Sequence, residues 1–274
     1  MKKTAWAFSL LISSAVFAQE RQLIQKWETD TLLKVPESVL YDANAKILYV
    51  SNIDGQPWEK DGKGSIGKVG LDGKIIAAEW VSGLQAPKGM GLYKGKLYVA
   101  DVDRVVVIDV KKGAIDKTIE VQDAEALNDL SINDKGIVYV TDSKAKKLLR
   151  IEKGQPSVLL DNLNGPNGVL AQGNDLYILD AGGLYKVGKD KSLTKLADGM
   201  EGGTDGVEQV APNEFIVSCW GGMMYYVNAD GTTHNLLDTR EQKMNTADIG
   251  YDAKNRIVYV PTFWKNKIVA YELK

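Results

Sequence analysis

Cysteine and histidine are nearly absent from this chain. One Cys and one His in 274 residues exclude an internal disulfide, a Cys-rich structural zinc site and an iron–sulfur cluster. They also rule out a His-rich catalytic zinc site and leave a Ser-His-Asp triad resting on His234 alone. Charge of one sign is missing too: 34 basic against 36 acidic side chains gives no broad field for nucleic acid. Beyond the N-terminus no long segment sustains a helical apolar period. What is present is 44% hydrophobic and 26% charged residues, the balance of a globular chain long enough for a sizeable core. The chemistry left open is that of carboxylates and amides.

Residues 1–18 have the three-part layout of a secretory leader. Lys2 and Lys3 open it, an apolar run from Ala5 to Val16 follows, and Val16-Phe17-Ala18 supplies a cleavage site before Gln19. The run is too short for a membrane anchor, and no Cys follows it to accept a lipid. The expectation is a cleaved signal peptide, a single domain over 19–274, and a periplasmic or secreted location with no membrane span. Without Lys2 and Lys3 the chain carries 32 basic against 36 acidic side chains.

A repeat fills the rest. Short runs rich in Val, Ile, Leu and Tyr are bounded by Asp, Asn, Gly and Lys turns. One phrase recurs six times: Pro36-Glu37-Ser38-Val39, Pro87-Lys88-Gly89-Met90, Leu127-Asn128-Asp129-Leu130, Pro166-Asn167-Gly168-Val169, Thr204-Asp205-Gly206-Val207 and Thr246-Ala247-Asp248-Ile249. The second residues of these phrases are spaced by 51, 40, 39, 38 and 42. A period near forty with about four strands per unit predicts an all-β, six-bladed β-propeller. The last repeat supplies strands near 247–252, 257–261 and 267–273 and stops one strand short. The segment Leu23–Leu33 is expected to provide the missing outer strand and close the last blade. The long first step carries an insertion, roughly Asp54 to Gly67, read as a loop that is either solvated or a lid.

Equivalent positions in a propeller sit at one height around the channel, so Glu37, Lys88, Asn128, Asn167, Asp205 and Ala247 should form a ring. Four of the six bear donor oxygens. Such a set suits a hard divalent cation, although Asn and Asp at strand starts also serve as turn and interblade hydrogen-bonding residues. Asp101, Asp142 and Asp180, after the second strands of their blades, read as turn-bonding residues, His234 as exposed, and Cys219 as a buried small hydrophobe. Trp220, Met223, Met224 and Trp264 could wall a pocket mouth or belong to a core.

At these residues the chain resembles the senescence marker protein (regucalcin)/gluconolactonase family of six-bladed propellers. Glu37-Ser38 is similar to that family's first-blade Glu-Ser, Asn128-Asp129 to its third-blade Asn-Asp, Asn167-Gly168 to its fourth-blade Asn-Gly and Asp205-Gly206 to its fifth-blade Asp-Gly. The resemblance implies one divalent cation (Ca, Mg, Mn or Zn, with Ca favoured) held by Glu37, Asn167 and Asp205. It implies hydrolysis of a lactone or related ester, with Asp205 as general base and Asn128 orienting water or substrate. The partner implied is a small-molecule substrate, with no nucleic acid, and the chain is taken as a monomer.

Two departures stand out. Lys88 occupies the second-blade position, where its ammonium could pair with Glu37; a contact that closed the cavity would count against an ion. Ala126 and Leu127 precede Asn128 where lactonases of this type carry a substrate-contacting Arg, so a neutral lactone is expected rather than an anionic sugar acid. The alternative function is a non-enzymatic exported propeller acting as a binding or interaction module.

Overall fold

Each repeat forms an antiparallel four-stranded sheet, and six such sheets make up the described part of the chain. The computed structural model describes residues 21–274; the expected leader lies outside the described residues. Among those residues no helix is long and apolar enough to cross a membrane.

The strands run outward from the channel in chain order. The inner strands are Pro36–Asp42, Pro87–Tyr93, Leu127–Ile132, Pro166–Gln172, Thr204–Ala211 and Gly250–Asp252. The middle strands are covered on both faces by neighbouring blades and so read as near-continuous apolar runs. In blade two, Val105 to Ile108 are all buried, whereas the outermost strand Ala114–Glu120 is exposed except at Ile119. The core lies between blades: Tyr177, Leu179 and Leu184 of blade four pack on Phe215, Val217 and Tyr225 of blade five.

The last blade is built from both ends of the chain. Its strand order puts Leu23–Glu28 outside Ile268–Leu273, with Leu23 opposite Leu273 and Glu28 opposite Val269. The outer strand is shorter than the expected Leu23–Leu33. It ends where the Thr29 hydroxyl accepts the Ile268 N–H and donates to the Asp30 carbonyl. Leu33 instead turns inward and is fully buried in the seam between blades one and six, beside Val39, Leu48 and Tyr259. Burying such a side chain contributes about 1.5–3 kcal/mol. On the inner side the seam is completed by the Asp248 N–H donating to the Glu37 carbonyl at 3.0 Å.

One irregularity recurs and positions the site. In blades one to five the pairing of inner and second strands slips across the phrase residue, between Pro36/Ser38, Pro87/Met90, Leu127/Leu130, Pro166/Val169 and Thr204/Val207. A bulge re-aims a side chain and frees an N–H. In three blades a hydroxyl on the second strand takes up that N–H: Ser51 for Ser38, Thr141 for Asp129 and Ser218 for Gly206.

Candidate functional site

The repeated bulges bring Glu37, Lys88, Asn128, Asn167 and Asp205 around one cavity of about 240 Å³ at the channel mouth. The sixth expected member, Ala247, does not line it; it is buried in an apolar cluster with Ile53, Ala86, Val102 and Phe263. Glu37, Lys88, Asn128 and Asp205 are all buried. Asn128 Nδ2 donates to Ser143 Oγ at 3.1 Å, and that hydroxyl donates to the Pro166 carbonyl, so the amide is fixed against the next blade. Asn167 Nδ2 donates to Asp205 Oδ1 at 2.9 Å, which directs Asn167 Oδ1 away from that bond.

Three buried side-chain oxygens have no hydrogen-bond partner among the described residues. Two of them, Glu37 Oε2 and Asn167 Oδ1, belong to residues of this cavity, and the third is Asn52 Oδ1. A buried acceptor left unmatched costs about 1–3 kcal/mol, so the site is built to receive a donor or a cation. Carboxylates alone do not make it: no group of three His, Cys, Asp or Glu is placed to hold a metal among the described residues. The remaining donor is the amide oxygen of Asn167, a suitable ligand for hard cations. On these grounds the residues fit a divalent ion.

The expected Lys88–Glu37 contact is formed, with Nζ 3.6 Å from Oε1, but the cavity stays open beside it. Lys88 Nζ also lies 4.3 Å from the centre of the Trp58 ring.

Burial dominates the electrostatics. It pushes the Glu37 carboxyl upward against the pull of Lys88. It pushes Asp205 well above the usual carboxylate range, reinforced by the charge of Glu37 and opposed by Lys88 and the Asn167 amide. One residue deeper, burial raises Asp129 to about 7 although its carboxyl accepts the Val169 and Leu130 N–H groups. Asp248, bonded by the Ser38 hydroxyl, is raised well above its ordinary value by burial and then by the charge of Asp129. Glu208, at the opposite end, is raised to about 8 by burial. With Asp129 and Asp248 it lines a separate cavity of about 330 Å³.

Sequence reasoning placed Pro57 and Trp58 within the insertion and named Trp220 as a candidate wall, but missed Phe263 and Lys144. Trp58 and Pro57 come from the insertion, which spans the gap between Asn52 and Gly64 rather than reaching Gly67, and they wall the mouth with Trp220 and Phe263. The insertion is therefore a cover over the cavity, tied down by Lys60 to Asp103 and by the Gly62 N–H to Gln85 Oε1. Trp264 is exposed and packs edge-on against Phe263 instead of lining the cavity, while Met223 and Met224 are buried in the core. Ala126 and Leu127 are fully buried. A different cation stands at the mouth, the exposed Lys144, with Nζ 5.4 Å from the Trp58 ring centre. Asp101, Asp142 and Asp180 accept backbone N–H groups of the segments that lead into their inner strands. His234 is exposed on an outermost strand, and burial pushes the Cys219 thiol up to about 12.

Solved structures share this architecture. The fold is that of the gluconolactonase-type propellers. A candidate gluconolactonase superposes with a TM-score of 0.69 at 14% identity, covering 92% of this chain and 94% of its own. A gluconolactonase from Xanthomonas campestris gives 0.66 at 14%, covering 88% and 87%. A streptogramin B lyase reaches 0.66 at 10% identity, covering 93% and 98%. No family model and no curated protein matches the chain. At these identities the likeness concerns the fold, which hosts hydrolases and lyases alike.

Proposed function

We propose that the protein is a divalent-cation-dependent hydrolase acting on a lactone or a related ester. The observation that carries this reading is the pair of buried, unmatched acceptors, Glu37 Oε2 and Asn167 Oδ1, on one cavity with Asp205. Glu37, Asn167 and Asp205 would hold the ion, with Ca²⁺ favoured by the all-oxygen set. Such an ion supplies Lewis acidity toward a carbonyl and lowers the pKa of water.

The chain's own residues do the rest. Asp205, on the cavity wall and bonded by the Asn167 amide, would take a proton from the attacking water as general base. Asn128, fixed by Ser143, orients water or substrate. Trp58, Trp220 and Phe263 exclude bulk water and offer apolar faces to the ring of a neutral lactone, and Lys144 offers the mouth a positive charge.

The rival readings fit less well. A binding module could match these acceptors with a ligand's donors, but that reading gives the buried carboxylate of Asp205 beside them no task. Lyase chemistry that depends on His is disfavoured here: a Staphylococcus aureus virginiamycin B lyase of this fold is catalytically inactive when a His is replaced by Ala. The single His of this chain lies exposed on an outer strand, away from the channel. The leader at 1–18 would direct the protein to the periplasm or outside the cell, and sequencing of the exported form should then begin at Gln19.

The deciding experiment is pH-stat titration over a panel of five- and six-membered lactones, with and without metal. Chelation should abolish acid release and metal should restore it, and Asp205→Asn should lower kcat by about 10²-fold or more. No metal-dependent acid release from any lactone leaves the binding module as the better reading.

A further inference from the structure

We propose that Lys88 is the ring's own displaceable cation: its ammonium holds the place of a divalent ion and must leave Glu37 before the ion binds. This rests on the metal reading of the ring. Lys88 neutralises Glu37 without satisfying it. The Nζ–Oε1 separation of 3.6 Å exceeds hydrogen-bond length, and Glu37 Oε2 is left with no partner. Another contact of the ammonium is the face of Trp58 at 4.3 Å, a weak substitute for water. An ion bound to the oxygens of Glu37 would be a second positive charge on the same carboxylate as the ammonium, and like charges on one buried group repel.

The exit is available. A lysine stem is four flexible carbons, and Trp58 belongs to the insertion, whose ties to blade two are polar contacts at its rim. Ion loading should therefore move both Lys88 and Trp58. A neutral side chain of similar length removes the competitor while keeping the packing against Trp58.

The test is binding, read by calorimetry with Ca²⁺ and by tryptophan-sensitised Tb³⁺ luminescence on the chelator-stripped chain. Lys88→Met should bind Ca²⁺ at least about tenfold more tightly than wild type, since a like charge has been removed. Lys88→Arg, which keeps the charge, should bind no more tightly. Lys144→Met, which removes an exposed charge near the same ring, should change affinity little. Adding Glu37→Gln to Lys88→Met should cancel the gain. Loading should alter the emission of wild type and leave Trp58→Phe without that component. Where circular dichroism shows Lys88→Met unfolded, Lys88→Gln carries the same expectation. If wild type binds metal and neither neutral variant binds more tightly, the displaceable-cation inference falls and the metal reading stands. If no form binds any metal, both fall.

Discussion

Glu208 keeps its proton far above the ordinary glutamate value of 4.5, to about 8, because burial penalises its charge. The unfolded chain releases that proton near the ordinary value, so between the two pH values the folded state binds more protons than the unfolded one. Stability from this group therefore falls as pH rises through that window and does not change below it. Glu208→Gln should stabilise the protein by on the order of 1–3 kcal/mol at pH 8 and by almost nothing at pH 4, as read from urea midpoints at both. An equal gain at both would mean that the carboxyl is not held neutral. Glu208 was not visible as a channel group in the sequence, because it lies beyond the repeated phrase. Asp129 and Asp248 were within the phrase, but their role follows only from the approach of neighbouring blades. Glu37, Asn128, Asn167 and Asp205 were legible because a common repeat phase implies a common height. Ala247 shares the phase but has no polar group to present.

At the scale of strands, the controlling feature is how closely adjacent inner strands approach after each bulge. A Cβ at Gly206 would stand 2.6 Å from Asp248 Oδ1 and 2.6 Å from the Ile249 nitrogen, and one at Gly168 2.4 Å from the Asp205 carbonyl. Glycine is required there by the neighbouring backbone rather than by its own torsion. Gly206→Ala should cost about 1–3 kcal/mol, the usual penalty of overpacking, and disturb Asp205 beside it. Gly165→Ala, whose new carbon would meet nothing nearer than 3.9 Å, should stay within about 0.5 kcal/mol of wild type. Denaturant midpoints compare the two, and similar losses would defeat the argument. The bulges themselves left only a faint mark in the sequence, the Ser or Thr of the second strand at Ser51, Thr141 and Ser218. The insertion was legible as an excess of residues that is either solvated or a lid; the choice between the two was not, since Trp58 has no counterpart in the other repeats to fix its height.

For the whole molecule, the spacing of the phrases carried the blade count and the short last repeat carried the closure. The inward turn of Leu33 was not legible, because its burial depends on a seam between residues more than two hundred positions apart. That seam has a kinetic consequence. The Lys274 N–H donates to the Gln22 carbonyl at 3.0 Å, so the two described ends are neighbours and a few residues could join them. Reopening the joined chain between Asp161 and Gly165 would give a circular permutant in which every blade is one continuous stretch of chain. It would contain the same strands and the same site, but no strand would be shared between first and last segments. Its ring would then be held at the new break by packing and by the hydrogen bonds between blades three and four, with no shared strand. Such a permutant should bind the same ligands yet unfold faster in stopped-flow denaturant jumps, because the shared blade acts as a barrier to opening rather than as a source of shape.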